Sequence, residues 1–190
     1  MEYLLSTNSL TKQYGRHKAV DSVNIHIRRG DIYGLIGRNG AGKTTLLKMI
    51  SGLASPTEGD FTLFGKQGKS AYRYLARVGT LIEAPGIYPN MSAADNLKLK
   101  CLAMGVRKQG EIEELLDIVG LSDTGKKKVK NFSMGMKQRL GIALALVGDP
   151  DLVILDEPIN GLDPQGIAEV RDTLSRLNRE RELTMIISSH

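Results

Sequence analysis

The chain has 190 residues, 41% of them hydrophobic and 25% charged, enough apolar content for one real core with room for an inserted subdomain. Aromatics make up only 5% and Trp is absent, which argues against the base-stacking platforms of single-strand nucleic-acid binders, while the formal charge of +5 suits a nucleotide site and an anionic membrane surface equally. Cys101, the only cysteine, excludes an intrachain disulfide and fits packing in a reducing compartment; no apolar run approaches a spanning helix and Met1-Glu2-Tyr3 lacks the basic start of a secretory signal, so a soluble or membrane-peripheral chain is expected.

Leu4 to Leu10 and Val20 to Ile27 read as strands, with a turn at Lys12-Gln13-Tyr14-Gly15 between them. The ring of Tyr14 offers contact area to a nucleotide base or, equally, to the core. His17 and His26 have no neighbouring ligand types and read as surface residues. The apolar run Ile32-Tyr33-Gly34-Leu35-Ile36 then enters Gly37-Arg38-Asn39-Gly40-Ala41-Gly42-Lys43-Thr44, and Thr45-Leu46-Leu47-Lys48-Met49-Ile50 continues as a helix. Strand, glycine-rich turn and helix in that order make the G-x-x-x-x-G-K-[ST] spacing a phosphate loop. Gly37, Gly40 and Gly42 let the chain curl tightly enough for backbone N–H groups, those of Asn39 and Ala41 among them, to converge on one anion. The helix opening near Gly42 adds its positive end, Lys43 a mobile charge for the β- and γ-phosphates, and the Thr44 hydroxyl a ligand for Mg²⁺, with Thr45 beside it in the cradle. This is a nucleoside triphosphate site.

Gly52 to Gly59 closes that helix, Asp60 to Gly65 reads as a short strand into a turn, and Val78 to Ile82 is a short buried strand. The Pro- and Gly-bearing loop Glu83-Ala84-Pro85-Gly86-Ile87-Tyr88-Pro89-Asn90 marks a boundary, after which Ala93 to Met104, Glu111 to Val119 and Met134 to Val147 carry helical periodicity. The Lys126-Lys127-Lys128 and Lys130 cluster reads first as a solvated face and second as an anion contact. Strand and helix alternate again from Asp149-Pro150: Leu152 to Leu155 is an apolar strand, Pro164 to Asn178 a helix and Thr184 to Ser188 a last strand, with no helix after it to cover its far face. The expected division is a nucleotide-binding core from 1–86 and 148–190 around a helical subdomain at 87–147.

Asp156-Glu157 ends the Leu152 to Leu155 strand, the edge where open α/β sheets place ligands. A metal-bound nucleotide needs one acid to hold the ion and hydrolysis needs a second group to orient or deprotonate water, which assigns Asp156 to the metal and Glu157 to the water. His190 ends the last strand at the same edge, where a neutral imidazole can donate to charge developing on the γ-phosphate.

With these residues in order, the chain resembles the ATP-binding cassette family along its whole length. Phe132-Ser133-Met134-Gly135-Met136-Lys137-Gln138-Arg139 is similar to the family's signature and Gly161-Leu162-Asp163 to the loop after its acid pair. The resemblance implies an α/β, P-loop NTPase (RecA-like) core with N-terminal antiparallel strands and an inserted helical subdomain, ATP and Mg²⁺ as cofactors, and Tyr14 stacked on adenine. It also implies that Ser133 and Gly135 meet the nucleotide of a second cassette in a head-to-tail dimer, through a hydroxyl and an N–H at a helix start that one chain cannot fold onto its own phosphate loop, and that Asp163 belongs to the nucleotide-binding residues. Met134 and Met136 depart from the signature, which bears on a ribose contact and leaves the phosphate contacts. Glu83 stands where most cassettes have Gln; it keeps an oxygen for Mg²⁺ or for the attacking water, and with its loop and the Met-bearing signature it resembles the branch serving bacitracin-type and lantibiotic-type peptide antibiotic transporters. The expected role is therefore the ATPase subunit of such a transporter, on the cytoplasmic face of the membrane beside a transmembrane permease subunit, with no nucleic acid. The alternative is a soluble cassette acting on nucleic acid or ribosomes; a third reading, a regulator that only binds nucleotide, is opposed by Glu157 and His190. The family normally continues past the histidine, so the chain is expected to be shortened there.

Overall fold

The computed structural model describes residues 3–190, less the side chain of Lys69; Met1 and Glu2, on which the secretory-signal argument rests, lie outside the described residues. Four parallel strands, β4 (Ile32–Ile36), β7 (Val78–Leu81), β8 (Leu152–Leu155) and β9 (Thr184–Ser189), form the central sheet in the order β4-β9-β8-β7. All four residues of β8 are buried, as an uninterrupted apolar strand must be when both faces are covered. Leu152 and Ile154 share one cluster with Leu46, Leu47 and Ile50 of helix α1 (Lys43–Ile50). Val153 and Leu155 share the other with Leu140 and Ile142 of the later helix Met134–Leu146 and with Val170 and Leu174 of Pro164–Arg181. The expectation of an uncovered last strand is corrected: β9 lies inside the sheet between β4 and β8, and Thr184, Met185 and Ile186 are at most 1% exposed. Ile186 packs in the α1 cluster and Met185 in the cluster with the Pro164–Arg181 helix.

A second, antiparallel sheet holds β1 (Tyr3–Tyr14), β2 (His17–Val23), β3 (His26–Arg28), β5 (Glu58–Leu63) and β6 (Lys66–Gln67). Two expectations change here. β1 runs through Tyr14, so the predicted four-residue turn shrinks to Gly15-Arg16, the tight link of a hairpin in which Tyr14 pairs with His17. The predicted strand from Val20 to Ile27 breaks at Asn24-Ile25, where Ser22 turns to a positive φ of 51°. Thr7 spans the break, donating its hydroxyl to the Val23 carbonyl at 2.8 Å and accepting the Ile25 N–H at 2.9 Å. β1 thereby pairs with β2 along one half and with β3 along the other. A 3₁₀ stretch, Gly68–Arg77, for which the sequence reading made no prediction, joins this sheet to β7.

The three predicted helices of the middle segment are present as α2 (Ala93–Met104), α3 (Glu111–Ile118) and α4 (Met134–Leu146), followed after β8 by α5 (Pro164–Arg181). Ser92 and Asp95 form a reciprocal capping box at the start of α2, and Gly105 ends it in the left-handed conformation. Asn96, 2% exposed, accepts the Tyr88 N–H at 2.7 Å and donates to the Ser92 carbonyl at 2.8 Å, fastening the Glu83-to-Asn90 loop to α2. Cys101 is buried in the helical cluster and burial pushes its thiol pKa up, as a packing residue requires. α4 abuts the same loop from the other side: a Cβ at Gly141 would lie 2.9 Å from Pro85 Cβ and 3.1 Å from Leu81 Cδ1.

Asp151, just before β8, joins the two sheets. It accepts from Arg77 Nε at 2.7 Å and from Arg29 Nη1 at 2.8 Å, and these bonds hold its carboxyl below the usual carboxylate range. A carboxylate whose folded-state pKa is depressed stabilises fully above its unfolded value of about 3.9 and loses that contribution as the pH falls through the lower folded-state value. Asp151→Asn should lower the unfolding free energy by about 1 kcal/mol at pH 7, the discounted worth of partly exposed arginine partners, and by less below pH of about 3.5. Urea melts at the two pH values check this; an equal loss at both would dismiss the charge as the cause.

Candidate functional site

The Gly37-to-Thr44 loop joins β4 to α1, and its shape is dictated by backbone fit. Gly42 has a φ of 86°, and a Cβ there would lie 2.1 Å from the Ala19 carbonyl oxygen of β2. No L side chain satisfies both constraints. α1 begins at Lys43 with no side-chain cap, so its positive end faces the loop without competition. Lys43 is only 7% exposed, and its ammonium is folded into the loop, donating to the Gly37 carbonyl at 2.6 Å and the Arg38 carbonyl at 3.3 Å, with Glu157 Oε1 at 3.4 Å. A buried charge has to be matched in this way.

One residue on, the Thr44 hydroxyl donates to Asp156 Oδ2 at 2.7 Å. The other Asp156 oxygen accepts the Ser188 hydroxyl at 2.6 Å, and the Ser188 oxygen accepts the Glu157 N–H at 2.7 Å. Glu157 sits at a φ of 50°, accepts from Asn160 Nδ2 at 2.9 Å, and has His190 Nδ1 3.7 Å from its Oε2. Lys43, Thr44, Asp156, Glu157 and His190, predicted from separate stretches, therefore meet at one sheet edge. Ser188 and Asn160 were missed. Ser188 is a hydroxyl at an inward register of an apolar strand that ends beside the acid pair, a signal available in the sequence; Asn160 acts through a loop conformation that no spacing reports.

The other predicted residues lie on the loop crest, at a hairpin tip, after β7 and, on a surface of their own, at the starts of α4 and α5. Asn39, Gly40 and Ala41 form the loop crest, where the Ala41 N–H bonds back to the Arg38 carbonyl at 3.1 Å, and Thr45 is half-buried in the first turn of α1. Tyr14 stands at the hairpin tip, exposed, with Lys12 Nζ 5.1 Å from its ring centre. Glu83, at the end of β7, has its hydrogen bond with Lys48 of α1 at 2.5 Å rather than with Thr44 or Asp156. That bond holds the Lys48 ammonium pKa above its usual value, with smaller contributions from Tyr14 and Asp156. Ser133 and Asp163 are the N-caps of α4 and α5: the Ser133 hydroxyl accepts the Met136 N–H at 3.2 Å and Asp163 Oδ1 the Gly166 N–H at 3.0 Å. With Gly135 they line a shallow cavity of about 460 Å³ to which no phosphate-loop residue contributes.

A direct comparison gives the family: the one described as ABC transporter matches residues 20–160. The chain belongs to that family. It is 50% identical, over its full length, to the bacitracin transport ATP-binding protein BcrA of Bacillus licheniformis and covers 62% of that relative. To the lantibiotic transport ATP-binding protein SrtF of Streptococcus pyogenes it is 45% identical over 98% of its length, covering 80% of that protein. Several of the most similar curated relatives are thus longer than this chain, which spans about three-fifths of their length (62%). Among solved structures, cbiO1 of Clostridium perfringens, part of an ABC transporter complex, superposes over the whole chain and 79% of its own length with a TM-score of 0.87 at 28% identity. The cassette MJ0796, solved as a dimer in a post-hydrolysis state with ADP and Pi, superposes over 98% of this chain and 88% of its own length, with a TM-score of 0.85 and 25% identity. The α/β cassette fold, with antiparallel N-terminal strands and a helical region, is that of these structures.

Among the described residues no cluster of three or more His, Cys, Asp or Glu side chains forms a metal cage, and no helix is long and apolar enough to cross a membrane. The hydroxyl and carboxylate of Thr44 and Asp156 are the hard-oxygen partial set that suits Mg²⁺, an ion that completes its shell with phosphate oxygens and water. Ser188→Ala would leave a buried carboxylate oxygen and the Glu157 N–H without their shared partner, and should lower the unfolding free energy by about 1 to 3 kcal/mol. Chemical denaturation of parent and variant reads this directly, and matching midpoints would contradict it.

Proposed function

We propose that this chain binds Mg·ATP, hydrolyses it to ADP and phosphate, and drives transport of a peptide antibiotic of the bacitracin or lantibiotic type through a separate transmembrane permease subunit. The observation that carries the reading is the hydrogen-bonded run from Thr44 through Asp156 and Ser188 to Glu157, set against the glycine-rich loop. The names of the 45% and 50% identical relatives supply the cargo class. In this reading 1–86 and 148–190 form the nucleotide core and 87–147 the helical subdomain, and the cassette works peripherally, at the cytoplasmic face of the cell membrane.

Binding begins with an exchange at Lys43. Its ammonium leaves the Gly37 and Arg38 carbonyls for the β- and γ-phosphate oxygens, while loop N–H groups from Asn39 to Thr45 and the start of α1 take up the remaining charge. Tyr14 lays its exposed ring on the adenine. Thr44 and Asp156 would hold Mg²⁺, with Glu83 as a further oxygen donor; the ion supplies charge neutralisation at the phosphates. Movement of Lys43 also removes the nearest cation from Glu157, whose carboxylate is then held by Asn160 and left to orient the attacking water and accept its proton. His190 donates an N–H to the γ-phosphate oxygen as negative charge gathers there.

Ser133 and Gly135 at the start of α4 and Asp163 at the start of α5, which line a cavity without phosphate-loop residues, would meet the nucleotide held by a second cassette in a head-to-tail pair. Two ATP molecules favour the closed pair, and hydrolysis with product release lets it open.

Glu157→Gln should keep ATP binding and slow hydrolysis by about 10² to 10⁴-fold, trapping an ATP-bound dimer visible by size-exclusion chromatography. Unchanged steady-state turnover would remove Glu157 from its role. Lys43→Ala should weaken ATP binding about ten- to a hundredfold, the loss of a charge-assisted contact from a buried loop; titration calorimetry measures it, and equal affinities would mean the loop does not serve phosphate.

A further inference from the structure

Glu83 occupies an unusual position in the backbone as well as in the sequence. Its φ of 65° places a residue with a side chain in the left-handed region, a strain that surrounding contacts must offset. Two contacts do so. On one side, Glu83 Oε1 accepts the Lys48 ammonium at 2.5 Å. On the other, Pro85 rests against α4 at Gly141, where even a methyl group would collide. The loop is thus pinned between α1, the helix that starts at the phosphate loop, and α4, the helix that starts at Ser133.

Lys48 lies four residues after Thr44, on the same face of α1. Thr44 bonds to Asp156, and the Asp156 N–H bonds to the Leu81 carbonyl, two residues before Glu83. Lys48, Thr44, Asp156 and Glu83 therefore border one region at the ends of β7 and β8. Within it Glu83 carries a carboxylate, which a cation can claim; a glutamine at this position would accept a hydrogen bond but form no ion pair.

We infer that Lys48 is a positioning residue for Glu83: it holds the carboxylate on α1 until Mg²⁺ and triphosphate arrive, so that the ammonium and the divalent ion compete for one carboxylate. The inference rests on the Mg·ATP reading above. Exchange from Lys48 to the ion would move the restraint on Glu83 from the later turn of α1 to its first turn, where Thr44 would hold the metal, while Pro85 stays packed on α4. A bystander Lys48, solvated and paired by proximity alone, would leave the ion's affinity independent of the lysine except for weak repulsion through solvent.

The test is a Mg²⁺ titration of ATP binding by calorimetry for parent, Lys48→Met, Glu83→Gln and the double variant; Met keeps the apolar stem and removes the charge. In the parent background Lys48→Met should lower the Mg²⁺ concentration for half-saturation by about fivefold, the upper range for a partly exposed ion pair. In the Glu83→Gln background the same substitution should change it by less than about twofold, because no carboxylate remains to be competed for. Equal shifts in the two backgrounds, or no shift in either, overturn the positioning role while leaving Mg·ATP binding in place. Absence of ATP binding by the parent at every Mg²⁺ concentration overturns the functional reading and this inference together, so the two failures are told apart.

Discussion

A carboxylate buried to 7% exposure at the end of a strand has to be given partners for both oxygens, and the partners of Asp156 define the centre of this molecule. One comes from α1, through Thr44, and the other from β9, through Ser188. Three elements far apart in the chain are thereby brought to one point, and the Ser188 hydroxyl passes the constraint to the backbone of Glu157. The geometry of the acid pair is set by a single satisfied carboxylate, with packing on both faces of β8 holding the strand that presents it.

Much of this was legible in the sequence because it is written in short, local signals. The glycine-rich turn between the strand at Ile32 and the helix after it, the fully apolar Leu152 to Leu155 strand before Asp156-Glu157, and the helix starts at Met134 and Pro164 each depend on neighbours within a few residues, and these elements lie where they were read; that Ser133 and Asp163 cap those helices was not read. What was not legible is what distant segments decide. The break in the predicted Val20 to Ile27 strand arises because β1 changes partner, with Thr7 filling the gap. The placement of β9 inside the sheet follows from strand order, which hydrophobic pattern does not encode. Ser188 and Asn160 acquire importance only once the strand and loop beside them are in place, and the Lys48 partner of Glu83 lies 35 residues earlier.

The candidate site is in two halves that this fold keeps apart. Lys43, Thr44, Asp156, Glu157 and His190 converge at the sheet edge, whereas Ser133, Gly135 and Asp163 line another surface. In the second half the cap hydrogen bonds have already engaged Ser133 and Asp163 with their own helices, which fixes their side chains before any ligand arrives. Such engagement restricts rotamers, and a surface whose rotamers are already chosen loses less entropy when something docks on it. The helical segment that carries Ser133 and Gly135 is itself tied to the core by the close fit of Gly141 against Leu81 and Pro85, so neither half is free to drift independently.

The position of β9 also has a temporal meaning. Ile32 of β4 finds its ladder partner in Met185, about 150 residues later, and β8 closes on the same strand, so the two halves of the central sheet have no backbone bond to each other until β9 enters between them. During synthesis the antiparallel sheet and the helical segment can form as their residues emerge, while the strand before the Gly37-to-Thr44 loop and the strand before the acid pair lack the ladder that joins them. The sheet edge that gathers the candidate site is therefore complete only with this six-residue strand in place, since it brings Ser188 and, just beyond it, His190.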